Sequence, residues 1–465
     1  MWPITAAAGP VTAYNLAMLL APVLAALAAF GLCRELTGRF WPALIGGWMF
    51  GFGPYEMGQT LGHLHLTFIF TVPLLVWLAM LRWRGRIRPV VYAGVCGLAL
   101  AFLLGVSIEV FTTFAVLSGI MLILVRGALP AERTHLDSLA RWTAAGYAAA
   151  LAIASPFIYY LILGAGSASG VLHSAVIYSA DLVNYVIPTP ITRAGGAWST
   201  AVSSHFTGNL AENGAYLGVP LLVLVVVFGW GWRRERWAWV LLGTVGVTMV
   251  GALGPQLHVN GTLIGKLPWI VITKLPLLKN ALPVRLAAYT DLGLGILAAV
   301  WLASWTRRRW TVAVLVGLVL LVAWWPSELR TTPANVPYVL QPREVVRLFK
   351  PGATLVVLPY GNEGNSMLWQ AVDEMGYRMA GGYLSFVPSA FAQSVVVAEL
   401  YGRVPTRSDF GAQLAAFCRQ HRVEAVVMTP GTPWALAASL SKLPWRQAAV
   451  GDSRILWVPG IPGGG

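Results

Sequence analysis

Ten apolar runs follow one another along this chain, at about 13–33, 40–54, 66–81, 89–104, 108–125, 142–164, 215–232, 237–254, 287–304 and 310–325. A helix needs roughly 20 apolar residues to cross the hydrocarbon of a bilayer, and most of these runs approach that length. Residues 89–125 form a nearly continuous run, in which Gly105, Ser107 and Glu109 mark the turn. Charged residues make up only 11% of the chain, against about 25% in soluble globular proteins. No single soluble core absorbs so much apolar side chain. The expected fold is therefore an all-α polytopic transmembrane bundle of about ten helices.

The basic residues test that map. RELTGR (34–39), RWRGRIR (82–88), residues 126–141, RRER (233–236) and RRR (307–309) carry fifteen Lys and Arg. The alternate loops carry five: Arg193, Lys266, Lys274, Lys279 and Arg285. Positive loops stay cytoplasmic, so ten alternating crossings put the first set inside. This is the expectation for a multi-pass protein of the plasma (inner) membrane. The net charge of +14 is distributed as clusters between apolar runs rather than as a patch, which argues against nucleic acid as a partner. On this map MWPITAAAGPVTAYN begins outside with no helix ahead of it, and the reading expects a further amino-terminal segment. Cys33, Cys96 and Cys418 lack metal-ligand spacing and read as small buried thiols.

The patterning changes after WWPSELRTTP (324–333), which divides the chain into residues 1–328 and 329–465. TLVVLPY (354–360), VEAVVMTP (423–430) and SRILWVP (453–459) read as strands, and residues 409–422 and 432–443 as helices. That alternation predicts a small α/β domain with a partly parallel sheet, extracytoplasmic on the charge map. LPYGNEGNSM (358–367) lies just past a strand's carboxyl end but matches no phosphate loop. It reads as a structural or ligand-touching loop.

Polar residues gather in the loops assigned to the outer side. Ionisable groups near bilayer depth are costly unless they pair or face water, so they suggest one shared extracytoplasmic cavity. In GPYEMGQTLGHLHL (53–66), a helical backbone would set Glu56, Gln59, Thr60 and His63 on one face. That face either lines a cavity or meets water at a helix end. His63 and His65 diverge on a helix, and no third ligand accompanies them, so no metal site is expected. Glu109 interrupts an apolar run and either lines the cavity or reaches the headgroups. Asp181 is either catalytic or a helix amino-terminal cap. Glu212, in HFTGNLAENGAYLG, and Asp291, entering a helix, complete the acidic candidates. Arg285 suits a lipid phosphate by its planar fork, or acts as an interfacial anchor. No cofactor is specified, and the sequence does not speak to a divalent-metal requirement.

GPVTAYNLAMLL (9–20), residues 34–66, SADLVNYVIPT (179–189), ENGAYLG (212–218), LGPQLHVNG (253–261) and LPLLKNALPVRL (275–286) resemble bacterial polytopic proteins of the GT-C glycosyltransferase superfamily type. VVLPYGNEGNSMLWQA (356–371) and RMAGGY (378–383) look like the outer domain many of them carry. The resemblance implies transfer of a sugar from a polyprenyl-phosphate donor to a glycan or lipid acceptor at the outer membrane face, for the cell envelope. It also implies a first-loop carboxylate as general base. No Asp or Glu precedes Glu35, so that acid is absent from this chain and the catalytic residue stays unassigned. Either the true start lies upstream of Met1, or the chain is a truncated, inactive relative. A lipid or sugar transporter or flippase is the alternative, as is a non-catalytic membrane component with an outer binding domain.

Overall fold

A computed structural model describes residues 2–163, 173–275, 278–305, 310–329, 331, 333, 335–383, 391 and 393–461. The chain divides into two compact units, Leu16–Arg330, and Met1–Asn15 together with Thr331–Gly465. All ten apolar runs fall on helices. Among the described residues, five helices are long and apolar enough to cross a membrane: Trp2–Thr37, Leu64–Trp83, Pro89–Val106, Ile108–Ala128 and Pro283–Ala303. Pro130–Ile153 and Ser155–Leu163 meet the same test only as a pair, bent by 64°. Phe40–Gly51, Val219–Gly231, Arg236–Ala252 and Thr311–Ala323 are apolar but shorter. The chain is thus a membrane protein with a predominantly helical unit. The arginine cluster at 307–309 lies outside the described residues.

Small side chains set the packing inside this unit. Lipid tails are as apolar as leucine, so helices associate through close approach rather than through expulsion of water. Ala17, Ala21, Ala25 and Ala29 recur every four residues on Trp2–Thr37 and are wholly buried. Phe40–Gly51 crosses Pro283–Ala303 at Gly46 and Gly295. A Cβ built at Gly46 would lie 2.6 Å from the Gly295 carbonyl oxygen, and one at Gly295 would lie 2.7 Å from that of Gly46. Fourteen of the seventeen residues of Ala287–Ala303 are buried, Asp291 among them. That helix is therefore the axis of the bundle rather than one span among equals. The break predicted near residue 107 is present: Ser107 caps Ile108–Ala128, its hydroxyl accepting from the Val110 amide at 3.3 Å.

The helical unit is not all-α. Strands β1 (Gln256–Val259) and β2 (Thr262–Lys266) form an antiparallel hairpin between Arg236–Ala252 and Pro283–Ala303. Its turn is Asn260–Gly261, with φ of 50° and 77°, the left-handed pair that two-residue hairpin turns require.

In the other unit, β3 (Thr354–Leu358), β4 (Arg378–Met379), β5 (Val423–Met428), β6 (Gln447–Val450) and β7 (Ser453–Trp457) form one sheet in the order β4-β3-β5-β7-β6. β3 runs parallel to β4 and β5, and β7 antiparallel to β5 and β6. Alternate residues feed two cores. Val356, Leu358, Val426 and Leu456 pack with Leu414 and Leu440, while Leu355, Val357, Val427 and Ile455 pack with Val345 and Phe349. Both faces are covered, which is why residues 355–358 (LVVL) and 425–428 (AVVM) are unbroken apolar runs. The loop after β3 is tied down by Tyr360, whose hydroxyl donates to the Ala380 carbonyl at 3.0 Å, and by a Glu363–Arg403 ion pair at 2.5 Å.

Candidate functional site

Four stretches distant in sequence meet in the helical unit. Pro54–Gln59 is a short helix with proline in its first turn. Leu210–Glu212 is a single 3₁₀ turn, capped by Asn209, whose Oδ1 accepts from the Glu212 amide at 3.1 Å. Pro283–Leu286 is another 3₁₀ turn and leads into the buried axial helix. Glu109 stands in the first turn of Ile108–Ala128.

Arg285 is the hub. Its Nε donates to both Glu212 carboxylate oxygens at 3.1 and 3.2 Å, and its Nη2 to Oε1 at 2.5 Å. Its Nη1 donates to Glu109, whose other oxygen accepts from the Leu282 amide at 2.7 Å. Two carboxylates thus face one guanidinium, a set with formal charge of minus one when all are ionised. An added phosphate would meet net repulsion here, so the lipid-phosphate role expected for Arg285 does not fit this arrangement. The fork is already spent on two carboxylates.

The network continues to His63. Gln59 Nε2 donates to Glu212 at 3.3 Å and to the Ala211 carbonyl at 3.2 Å, which leaves its Oε1 to accept from His63 Nδ1 at 2.7 Å. That chain fixes the tautomer: Nδ1 carries the proton and Nε2 keeps its lone pair. His63 is the most open member, its side chain 28% exposed against 2% for Glu212. Burial lowers the His63 pKa from its ordinary value, with Glu212 opposing and Arg285 reinforcing the shift, so the ring is neutral near pH 7. His65 stacks edge-on beside it, ring centroids 6.1 Å apart. Among the described residues no group of three or more His, Cys, Asp or Glu could hold a metal ion.

The other candidates do not join this network. Glu56 shares the short helix with Gln59 but is wholly buried, and neither carboxylate oxygen has a hydrogen-bond partner. Its pKa stands well above the usual carboxylate range, first through burial and then through Asp291 nearby. Asp291, 2% exposed, accepts from the Tyr55 amide at 3.3 Å through Oδ2, and its Oδ1 is unpartnered. One face for Glu56, Gln59 and His63 was the expectation. The helix ends at Gln59; Gln59 and His63 join the Arg285 network, whereas Glu56 lies near Asp291 instead.

Asp181 has a structural post. Oδ1 accepts from the amides of Val183 and Asn260, both at 2.9 Å, and Oδ2 from Gly261 at 2.7 Å. It caps a 3₁₀ turn, Leu182–Tyr185, and also clamps the β1–β2 turn.

A lateral groove of about 480 Å³ opens between Ile108–Ala128 and Arg236–Ala252 and is lined almost wholly by apolar groups. Thr113, one turn below Glu109, and Leu286, next to Arg285, line its end nearest the ion network. Gly243 and Gly246 line it too, and a Cβ at either would meet nothing within 4 Å. None of the residues singled out in the sequence lines this groove. The glycines lie inside an apolar run, and no polar signal marks them.

Fold and site together define a helical membrane protein with a buried ion network beside an apolar groove, followed by a small α/β unit. The chain belongs to the family described as a domain of unknown function, DUF6311, whose model matches residues 7–327. No curated protein matches it.

Proposed function

We propose that this protein is a GT-C-like membrane glycosyltransferase that takes its sugar from a polyprenyl-phosphate donor at the extracytoplasmic face. The observation that carries the reading is the apolar groove ending beside Glu109 and Arg285. A long isoprenoid chain fits an apolar, laterally open channel, and the sugar at its head would then come within reach of His63, the phosphate staying outside the Arg285 carboxylate set. His63 takes the part of general base. Its Nε2 would accept the acceptor hydroxyl's proton as that oxygen bonds to the anomeric carbon. The C–O bond to phosphate breaks, and its electron pair leaves with the lipid phosphate. Gln59 and Glu212 hold the imidazole in the tautomer this step needs.

The test is transfer of radiolabelled sugar from polyprenyl-phosphate hexoses and pentoses by the reconstituted full chain. A positioned base contributes about 10²–10⁴-fold, so His63→Gln lowers kcat on that scale. Gly246→Leu, whose Cβ would meet nothing within 4 Å and whose side chain would enter the groove, raises KM for long-chain donors while sparing short-chain ones. Absence of transfer from every donor, or transfer indifferent to both variants, overturns the reading.

One observation favours a second reading, cation-coupled transport. The neighbouring acids Glu56 and Asp291 are buried with carboxylate oxygens that no protein group partners among the described residues, and buried acids of this kind mark ion and proton pathways in membrane proteins. Proton- or sodium-dependent lipid movement lost in Glu56→Gln would support it over transfer.

A further inference from the structure

Within residues 1–328, four of the five basic residues outside the arginine-rich loops lie in one short stretch: Lys266, Lys274, Lys279 and Arg285. Arg285 is taken up by Glu109 and Glu212. None of the three lysines enters an ion pair among the described residues. No Asp or Glu occurs between residues 256 and 290. The lysines accompany apolar side chains that the protein leaves uncovered. All five residues of β2 are exposed, and Leu263, Ile264, Val271 and Leu275 are 52%, 64%, 64% and 48% accessible.

This stretch joins the ends of two apolar helices, Arg236–Ala252 and Pro283–Ala303, so it lies at the depth where a bilayer meets water. An isolated two-stranded hairpin is marginal in water, but this one is held at its turn by Asp181. Ile264 and Lys266 share one face of β2 and Leu263 lies on the other. Both faces therefore carry an apolar residue, as a hairpin immersed among lipids requires and a solvated one does not. Exposed apolar side chains beside unpaired lysines, with no acid nearby, are the make-up of segments that lie in the plane of an anionic membrane surface.

We propose that β1–β2 and the following turn of helix, Trp269–Ile272, form an interfacial foot. Leu263, Ile264, Val271 and Leu275 sink below the headgroups, and Lys266, Lys274 and Lys279 bind the phosphates of anionic phospholipids. The occupant is the anionic leaflet itself. This inference stands apart from sugar transfer and survives if that reading fails.

The experiment uses the full chain in vesicles of phosphatidylcholine, alone or with phosphatidylglycerol at three to one. The native cysteines are all buried, so a spin label on Ile264→Cys reports this site. Its accessibility to oxygen should exceed that to a water-soluble nickel chelate, the reverse of a label on Val346→Cys, which is 78% exposed in the α/β unit. Native mass spectrometry should show phosphatidylglycerol retained over phosphatidylcholine. Each lysine near an anionic surface contributes roughly a fivefold preference, so Lys266→Gln/Lys274→Gln/Lys279→Gln loses tenfold or more. Lys274→Arg keeps the preference, and Lys274→Gln alone lowers it measurably if the triple variant does not fold. A label at Ile264 as open to the chelate as that at Val346 overturns the proposal, as when a protein partner is the true occupant. So does retention unchanged in the lysine variants.

Discussion

Arg285 and Glu212 are seventy-three residues apart in sequence, yet the guanidinium of one grips the carboxylate of the other through both Nε and Nη2, at 3.1 and 2.5 Å. The pair ties the 3₁₀ turn Leu210–Glu212 to the start of the axial helix. Removing one partner of a buried pair costs about 3–5 kcal/mol, because the other charge is left uncompensated. Arg285→Ala strands two carboxylates and should fall at the upper end of that range. Arg285→Met combined with Glu109→Gln and Glu212→Gln should recover most of the loss, since no net charge then stays buried. Thermal unfolding in detergent measures both. Equal Tm values for the single and triple variants would show that the charges are not what holds these segments.

Gly46 and Gly295 pack backbone to backbone, so a side chain at either has nowhere to go. Gly46→Val should cost several kcal/mol and reduce the yield of monodisperse protein, overpacking alone being worth about 1–3 kcal/mol. Gly94→Ala is the control, because nothing lies within 4 Å of a Cβ built there. Its Tm should match the wild type or rise slightly, as helical Gly→Ala exchanges favour the helix. A tolerated Gly46→Val would mean that the two helices do not meet at this point.

Glu56 predicts a pH dependence of stability. Its folded pKa lies well above the model-peptide value of 4.5, through burial first and Asp291 second. An acid with a raised folded pKa contributes its full stability below the unfolded pKa. That contribution is lost as pH rises toward and through the folded pKa, because the unfolded chain releases the proton first. Each pH unit in that window removes up to about 1.4 kcal/mol. Wild-type Tm should therefore fall from pH 5 toward pH 8, and Glu56→Gln should flatten the slope. Parallel curves for the two proteins would assign the pH dependence to other groups.

Much of this was legible in the sequence, and the parts that were not share a physical cause. The apolar runs located every long helix, and shorter apolar runs located β3, β5 and β7, since burial writes itself directly into hydrophobicity. Gln59, His63, Glu109, Glu212 and Arg285 stood out as polar groups in apolar surroundings, and they do form one network. Their pairing was not legible. Nothing local says that Arg285 faces two carboxylates from loops seventy-three and 176 residues away. The separation of Glu56 from Gln59 was hidden too, because it depends on the helix stopping at Gln59 and on Asp291 arriving from the axial helix. The groove glycines were invisible among apolar neighbours. The hairpin did carry a signal, Asn260–Gly261 between apolar residues, but it was overshadowed by the helical character of everything around it.

That hairpin depends on Asp181, whose carboxylate accepts three backbone amides, from Val183, Asn260 and Gly261. Each buried amide left without a partner costs about 1–3 kcal/mol. The cost should stay local, because the hairpin can open while the helices remain packed. Asp181→Ala should therefore speed amide exchange across Gln256–Lys266 by a factor of about 10 or more per lost bond, at roughly 1.4 kcal/mol per tenfold. Exchange in Ala287–Ala303 should not change. Asp181→Asn keeps one acceptor oxygen but replaces the other with a donor, and should fall between the two. If exchange in the hairpin and in the axial helix rose together in Asp181→Ala, the carboxylate would be holding the bundle rather than the turn.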